Sequence, residues 1–210
     1  MSILNEIQEQ LQKGKAKLVA AQVEEALAAG VAPQEIMEAL LSAMGVVGER
    51  FKKDEVFVPD VMIAARAMNR GLAALKPHLL EGGIEPIGRA CIGTVKGDLH
   101  DIGKNLVKMM LEGRGFEVID LGVDVAPETF VRTAVEKDCA VICCSALLTT
   151  TMGAMVDVVR LADEAGIRGK VKIMVGGAPV DQRFCDMIGA DAYTRDAATA
   201  AELAATFVKG

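Results

Sequence analysis

The hydrophobic period of this chain changes once, near residue 86, and that change constrains its fold more than any other feature. Up to about residue 80 the apolar positions recur at helical spacing. Leu18, Val19, Ala21, Val23 and Ala26 mark one face, and Gly30 stops the run. Pro33 opens a second run carrying Ile36, Met37, Ala39, Leu40, Leu41, Met44 and Val47, and Pro59 opens a third with Val61, Met62, Ala65, Met68, Leu72 and Leu75. With a segment near 3–12, this makes four helices on short connections, the pattern of a small bundle. Glu81-Gly82-Gly83-Ile84-Glu85-Pro86 has the composition of a linker. Beyond it, short apolar runs at 89–95, 116–121, 139–145, 171–175 and 191–194 alternate with helix-like segments at 102–113, 127–137, 150–165, 180–188 and 196–208. Such alternation builds βαβ units and a parallel sheet. The expected architecture is α/β. A four-helix bundle over residues 1–85 precedes a flavodoxin-like (Rossmann-like) domain with a five-stranded parallel sheet over 86–210.

Composition narrows the function classes. Apolar residues make up 51% of the chain but aromatics only 3%, so the core is built from Ala, Val, Leu, Ile and 11 Met. The net charge of −6, with no Lys/Arg block, argues against nucleic acid or an anionic membrane as partner. No uninterrupted apolar run reaches the ~18 residues of a membrane span. The start, Met1-Ser2-Ile3-Leu4-Asn5-Glu6, lacks the basic and apolar regions of a signal peptide. Five cysteines, Cys91, Cys139, Cys143, Cys144 and Cys185, mostly sit in apolar strand-like runs, which reads as buried free thiols in a reducing cytoplasm.

Ligands of doubly wound folds bind at the carboxyl ends of the strands. That rule selects four loops: Lys96–Asp101 after the first strand, Ser145–Thr151 after the third, Gly176–Pro179 after the fourth and Tyr193–Asp196 after the fifth. The first holds the Asp98/His100 pair of the stretch Gly97-Asp98-Leu99-His100-Asp101-Ile102-Gly103, with one of only two histidines in the chain. A neutral imidazole is a good metal ligand, and a carboxylate on its other nitrogen orients it. Asp98 is placed to be that carboxylate. One histidine is too few for an ordinary zinc site, so a metal on His100 needs other ligands, such as a macrocycle.

Each signal has a plainer alternative. Asp98 could N-cap a helix beside a surface His100, and Thr149-Thr150-Thr151 could be only a helix N-cap. Asp101 and Lys104 read as helix-start and solvent residues, and Gly176-Gly177 as a tight turn lacking any phosphate-loop signature. His78 reads as a helix-end residue near Pro77, Cys143-Cys144 as core strand, and the helically spaced methionines as core.

Taken together, Asp98-Leu99-His100-Asp101-Ile102-Gly103, Ser145-Ala146-Leu147 and Gly176-Gly177 resemble, in order, the Asp-x-His-x-x-Gly, Ser-x-Leu and Gly-Gly motifs of the cobalamin-binding module of methyltransferases, the module also found in methionine synthase. Gly48–Pro59 looks like the signature of that family's helical cap, so the resemblance covers nearly the whole chain. It implies cobalamin bound with His100 as the lower axial ligand and metal-binding residue, and Asp98 behind it. Ser145 and Thr149 would hydrogen-bond the buried base of the cofactor or its surroundings. Gly103, Gly176 and Gly177 would leave room for its nucleotide tail. Phe51 and Val58 would shield the upper cobalt face. Gly97, Leu99, Asp101, Ile102, Leu147 and Tyr193 complete the expected cofactor-binding set.

A stand-alone cap plus cobalamin domain is similar to the corrinoid proteins of anaerobic methyl-transfer systems, closest to the methylamine and quaternary-amine members. This implies a methyl carrier cycling between cob(I)alamin and methylcob(III)alamin, a non-autonomous subunit rather than a complete enzyme. Its partners would be a substrate:corrinoid methyltransferase, a corrinoid:acceptor methyltransferase using tetrahydrofolate or coenzyme M, and a reductive activase. The 81–86 linker would let the cap move. A cobalamin-dependent sensor and a mutase cobalamin subunit are the alternatives within the resemblance; a flavodoxin-like module without corrinoid is the alternative outside it.

Overall fold

A computed structural model describes residues 2–81 and 85–208. The chain divides into two compact units at Pro86/Ile87, with the short turn Gly113–Gly115 grouped with the first. Of the linker expected at 81–86, residues 82–84 lie outside the described residues.

The first unit contains α1 (Ile3–Gln12), α2 (Ala16–Ala28), α3 (Pro33–Lys52) and α4 (Val58–Glu81). Ser2 caps α1 by accepting from the Asn5 N–H at 3.3 Å, and Pro33 occupies the first position of α3. Ile7 and Leu11, Val19 and Val23, Ile36 and Leu40, and Val61, Met68 and Leu75 are all buried, one stripe per helix. Gly14, at φ +69°, lies so close to Ile63 that a Cβ would meet its Cγ1 at 2.7 Å. Pro77 stands inside α4, and His78 falls in its last turn.

The second unit alternates β1 (Arg89–Val95), α5 (Ile102–Glu112), β2 (Glu117–Val125), α6 (Pro127–Glu136), β3 (Val141–Ser145), α7 (Gly153–Glu164), β4 (Lys172–Gly176), α8 (Gln182–Ile188), β5 (Ala192–Tyr193) and α9 (Ala197–Phe207). The strands pair in parallel in the order β2-β1-β3-β4-β5, the flavodoxin-like arrangement. Both faces are covered. On one, Phe130 of α6, Met155 and Val158 of α7 and Cys185 of α8 pack on Cys91, Ile142, Cys144 and Ile173. On the other lie α5 and α9, which pack together. Covered faces explain why the inner strands read as unbroken apolar runs. All five cysteines are buried and free of disulfides.

The two largest boundary differences from expectation have physical reasons. β2 runs to Val125 rather than 121. Gly122 (φ +85°) and Asp124 (φ +53°) look like strand breakers but sit in bulges, and pairing resumes at Gly93 with Gly122 and Val95 with Val125. α7 starts at Gly153 rather than 150. Residues 149–152 form a turn, and Met152 at the N-cap makes no side-chain cap. The threonine run therefore does not cap α7.

Candidate functional site

β1 stops at Val95, and Gly97 (φ +83°) turns the chain so that the Asp98 N–H donates back to the Val95 carbonyl at 3.1 Å. This directs Asp98 inward, where it is fully buried. Five donors converge on its carboxylate. The His100 N–H (3.1 Å) and Nδ1 (2.7 Å) meet Oδ1; the Leu147 N–H (2.8 Å), Leu148 N–H (3.2 Å) and Thr151 hydroxyl (2.9 Å) meet Oδ2. Burial alone favours the neutral acid, but the Leu147 N–H, His100 and Thr151 outweigh it and hold the carboxyl well below the usual carboxylate range. Asp98 is thus a buried, fully ligated anion rather than a helix cap.

The ionised carboxylate only accepts hydrogen bonds, so the geometry assigns the imidazole proton to Nδ1. The lone pair then lies on Nε2, which has no hydrogen-bond partner among the described residues. The ring is half exposed, with 52% of the side chain accessible. The backbone behind it is anchored as well: the hydroxyl of Thr94, fully buried, donates to the His100 carbonyl at 2.7 Å. Among the described residues no group of three or more His, Cys, Asp or Glu forms a metal cage. His100 is a single, oriented, outward-facing imidazole.

The surroundings are apolar and open. Leu99 and Ile102 are about three-quarters exposed, at 72% and 73%, and Leu147 is also exposed. Large apolar side chains left in water beside a buried anion mark a surface meant to be covered. A Cβ on Gly103 or Gly176 would meet nothing within 4 Å. Gly177 differs. At φ +125°, its Cβ would stand 1.8 Å from the Ala146 carbonyl oxygen, so its missing side chain serves the β3–β4 backbone contact rather than leaving room. Ser145 ends β3 between Thr94 and Gly176, half-buried.

Several expected residues play other parts. Thr149 is exposed, and the hydroxyl that reaches Asp98 is that of Thr151. Asp101 is exposed and engages Asn105 within the first turn of α5, accepting from its Nδ2 at 3.1 Å. Lys104 was expected in solvent but is 3% exposed. Its stem lies on the α5 face toward β2, and its ammonium binds Asp120 Oδ1 at 2.6 Å. Asp120 stays ionised below the usual range: burial opposes this, but Lys104, the Gly122 N–H and Lys108 outweigh it. Tyr193 is half-buried on β5 and borders an open pocket of about 690 Å³ together with Arg183, Arg195 and Thr199. Phe51 and Val58 belong to the helical unit, half-buried on either side of the α3–α4 turn.

Four contributors escaped sequence reasoning: Thr94, Leu148, Thr151 and Asp124. Thr151 lay within the recognised hydroxyl run. Asp124 lies inside β2, beyond the strand end expected at 121 and outside the four strand-end loops, so nothing in the sequence singled it out. Its carboxylate accepts from the Gly97 N–H at 2.7 Å.

One B12 binding domain model matches residues 88–205, and a second matches residues 3–76. The chain belongs to the B12-binding corrinoid proteins. This B12-binding protein is 47% identical over 184 residues to trimethylamine corrinoid protein 1 of Methanosarcina acetivorans, covering 86% of this chain and 85% of that one. It is 44% identical over 199 residues to dimethylamine corrinoid protein 3 of the same organism, covering 94% and 93%. In structure it is similar to the methanol:cobalamin methyltransferase complex MtaBC from Methanosarcina barkeri. The TM-score is 0.89 at 30% identity, covering 99% of this chain and 80% of that one.

The residues of this B12-binding protein fit cobalamin. A corrin brings its own equatorial nitrogens, so a metal held through it needs from the protein one axial donor, not a cage. That is what the Asp98–His100 pair offers. Among the described residues no helix is long and apolar enough to cross a membrane.

Proposed function

We propose that this chain is a corrinoid methyl carrier in which His100 Nε2 is the lower axial ligand to cobalt. One observation carries the reading: an outward-facing, half-exposed imidazole locked in the Nδ1–H tautomer by a buried, five-fold hydrogen-bonded carboxylate. Such a carboxylate fixes ring orientation and raises the basicity of the ligating nitrogen. Asp98 has no free lone-pair direction toward solvent, so its role is to hold the Nδ1 proton, not to shuttle it. When bound, cobalamin supplies the cobalt that accepts and releases a methyl group; the protein supplies ligation, shielding and docking.

The apolar rim of Leu99, Ile102 and Leu147 suits the underside of a corrin ring, with Gly97 setting the turn that presents it. Gly103 and Gly176 leave space for a nucleotide tail, and the Ser145 hydroxyl is at hand for its polar edge. In the cap, over residues 1–85, Phe51 and Val58 are the apolar side chains that would shield the cobalt from water. The cobalamin domain is 86–210.

Relatives named for trimethylamine and dimethylamine, and a neighbour named as part of a methanol:cobalamin methyltransferase complex, support a substrate-specific methyltransferase as the donor partner. A second methyltransferase that removes the methyl group and a reductive activase complete the set. Five free, buried thiols suit a reducing cytoplasm.

The test is reconstitution with cobalamin and a visible spectrum, repeated with His100→Ala. Axial histidine ligation is expected in the wild type and lost in the variant. An unchanged spectrum would refute the assignment.

A further inference from the structure

We infer that Asp124 is a positioning residue that sets the loop carrying His100, through the backbone of Gly97 and Asp98. The inference rests on the reading of His100 as the axial ligand. β2 is an edge strand, and its pairing with β1 slips twice within a few residues, after Ile92 with Asp120 and again after Gly93 with Gly122. Each slip adds a residue to β2. Bulges bend an edge strand and re-aim its side chains, and they are concentrated beside functional sites.

Here the result is specific. Asp124 takes a left-handed backbone conformation, φ +53°, which Asp tolerates better than most residues. From it the carboxylate Oδ1 accepts from the Gly97 N–H at 2.7 Å, and the Asp124 N–H donates to the Asp98 carbonyl at 3.0 Å. Beyond Val95 the backbone of β1 has no ladder partner, so the Gly97 N–H and Asp98 C=O would otherwise face water. Asp124 binds both, at opposite ends of the same dipeptide. The Asp98 side chain then starts from a fixed Cα, and its carboxylate reaches His100 Nδ1 and the Leu147 N–H together.

The other bulge is braced from the opposite side. Asp120 Oδ1 accepts from the Gly122 N–H at 2.9 Å and from Lys104 at 2.6 Å, tying the same stretch to α5, the helix that begins two residues after His100. The segment 120–124 therefore spans the two elements that flank the ligand, although neither aspartate touches the imidazole.

The experiment compares Asp124→Asn, which keeps an acceptor oxygen and the left-handed backbone, with Asp124→Gly, which keeps only the backbone. In the apoprotein, nitrogen-15 NMR of the His100 ring reads the tautomer and the exchange of the Nδ1 proton with water. In the reconstituted protein, the visible spectrum reads the fraction of cobalamin with histidine bound. For Asp124→Gly we expect Nδ1 proton exchange about tenfold faster and histidine ligation about tenfold weaker, with Asp124→Asn within about twofold of wild type. Wild-type behaviour of Asp124→Gly in both readouts would overturn the proposal, as would an Asn variant as impaired as the Gly variant. A Gly variant that melts earlier but keeps proton protection and ligation would show a purely structural role and also overturn it. If His100→Ala leaves the spectrum unaltered, the axial reading falls, and the proton-exchange measurement still decides the role of Asp124.

Discussion

Replacing Asp98 by Asn removes one negative charge and one acceptor from a site where five donors meet, and the structure dictates how the protein must respond. The amide has a single acceptor oxygen. Its best placement is at the Oδ2 position, where it still serves the Leu147 N–H, the Leu148 N–H and the Thr151 hydroxyl. Its NH2 then faces the His100 N–H and Nδ1, which were 3.1 and 2.7 Å from the carboxylate. The Nδ1 conflict resolves only if the ring proton moves to Nε2, which removes the lone pair needed for a metal. The His100 N–H stays unpaired, at about 1–3 kcal/mol, and three remaining bonds lose charge assistance, about 1 kcal/mol each. Relief from burying an anion offsets part of this, leaving a net loss of about 2–4 kcal/mol.

At roughly 2–4 °C per kcal/mol for a chain of this size, the apoprotein should melt about 5–15 °C lower. Restoring the metal-binding tautomer against the amide should weaken histidine ligation about 10–100-fold, the usual effect of losing such a supporting carboxylate. Two assays read these separately: thermal unfolding of the apoprotein, and spectrophotometric titration with cobalamin. The variant should still ligate better than His100→Ala. Wild-type melting together with wild-type ligation would refute the reasoning, and cobalamin binding weaker than in His100→Ala would show the roles of the two residues to be reversed.

Further expectations follow from the same geometry. Because the folded pKa of Asp98 is depressed, its ionised form contributes stability that is complete above the unfolded value of about 4 and lost as pH falls below it. The difference in stability between wild type and Asp98→Asn should therefore shrink in urea titrations run from pH 6 down to pH 3. Gly177→Ala places a Cβ against the Ala146 carbonyl and should destabilise the apoprotein, whereas Gly103→Ala, which meets only open space, should leave its melting unchanged while weakening cobalamin binding. Lys104→Met leaves Asp120 with Lys108 and the Gly122 N–H; with Asp120 27% exposed, a loss of about 1–2 kcal/mol is expected in denaturant unfolding, less than for a fully buried pair.

The parts of the site legible in the sequence are those whose chemistry is local. Asp98 and His100 are two residues apart on one loop, so their pairing needs only a turn, and Gly97 provides it. Leu99, Leu147 and Gly176 lie in loops that the strand-end rule selects, whereas Ile102 and Gly103 lie just beyond them and came with the motif resemblance. The resemblance gave Thr149 a cofactor contact and Thr151 none, because the meeting of Thr151 with Asp98 spans 53 residues and leaves no local signal. Lys104 was taken for a solvent residue because helical spacing says which face it occupies but not that an acidic residue on an edge strand waits there.

By itself the sequence determined the two kinds of architecture, the order of the elements and the presence of one carboxylate-supported imidazole, because hydrophobic period, Pro and Gly punctuation and i,i+2 contacts are all short-range properties. Tertiary structure decided what completes that support. Leu147, Leu148 and Thr151 meet Asp98 across 49 to 53 residues, and Asp124 meets Gly97 across 27. Those meetings depend on parallel strand register and on two bulges in β2. Register is fixed when the apolar pattern of each strand is buried against its neighbours across the sheet, which is settled only in the packed domain.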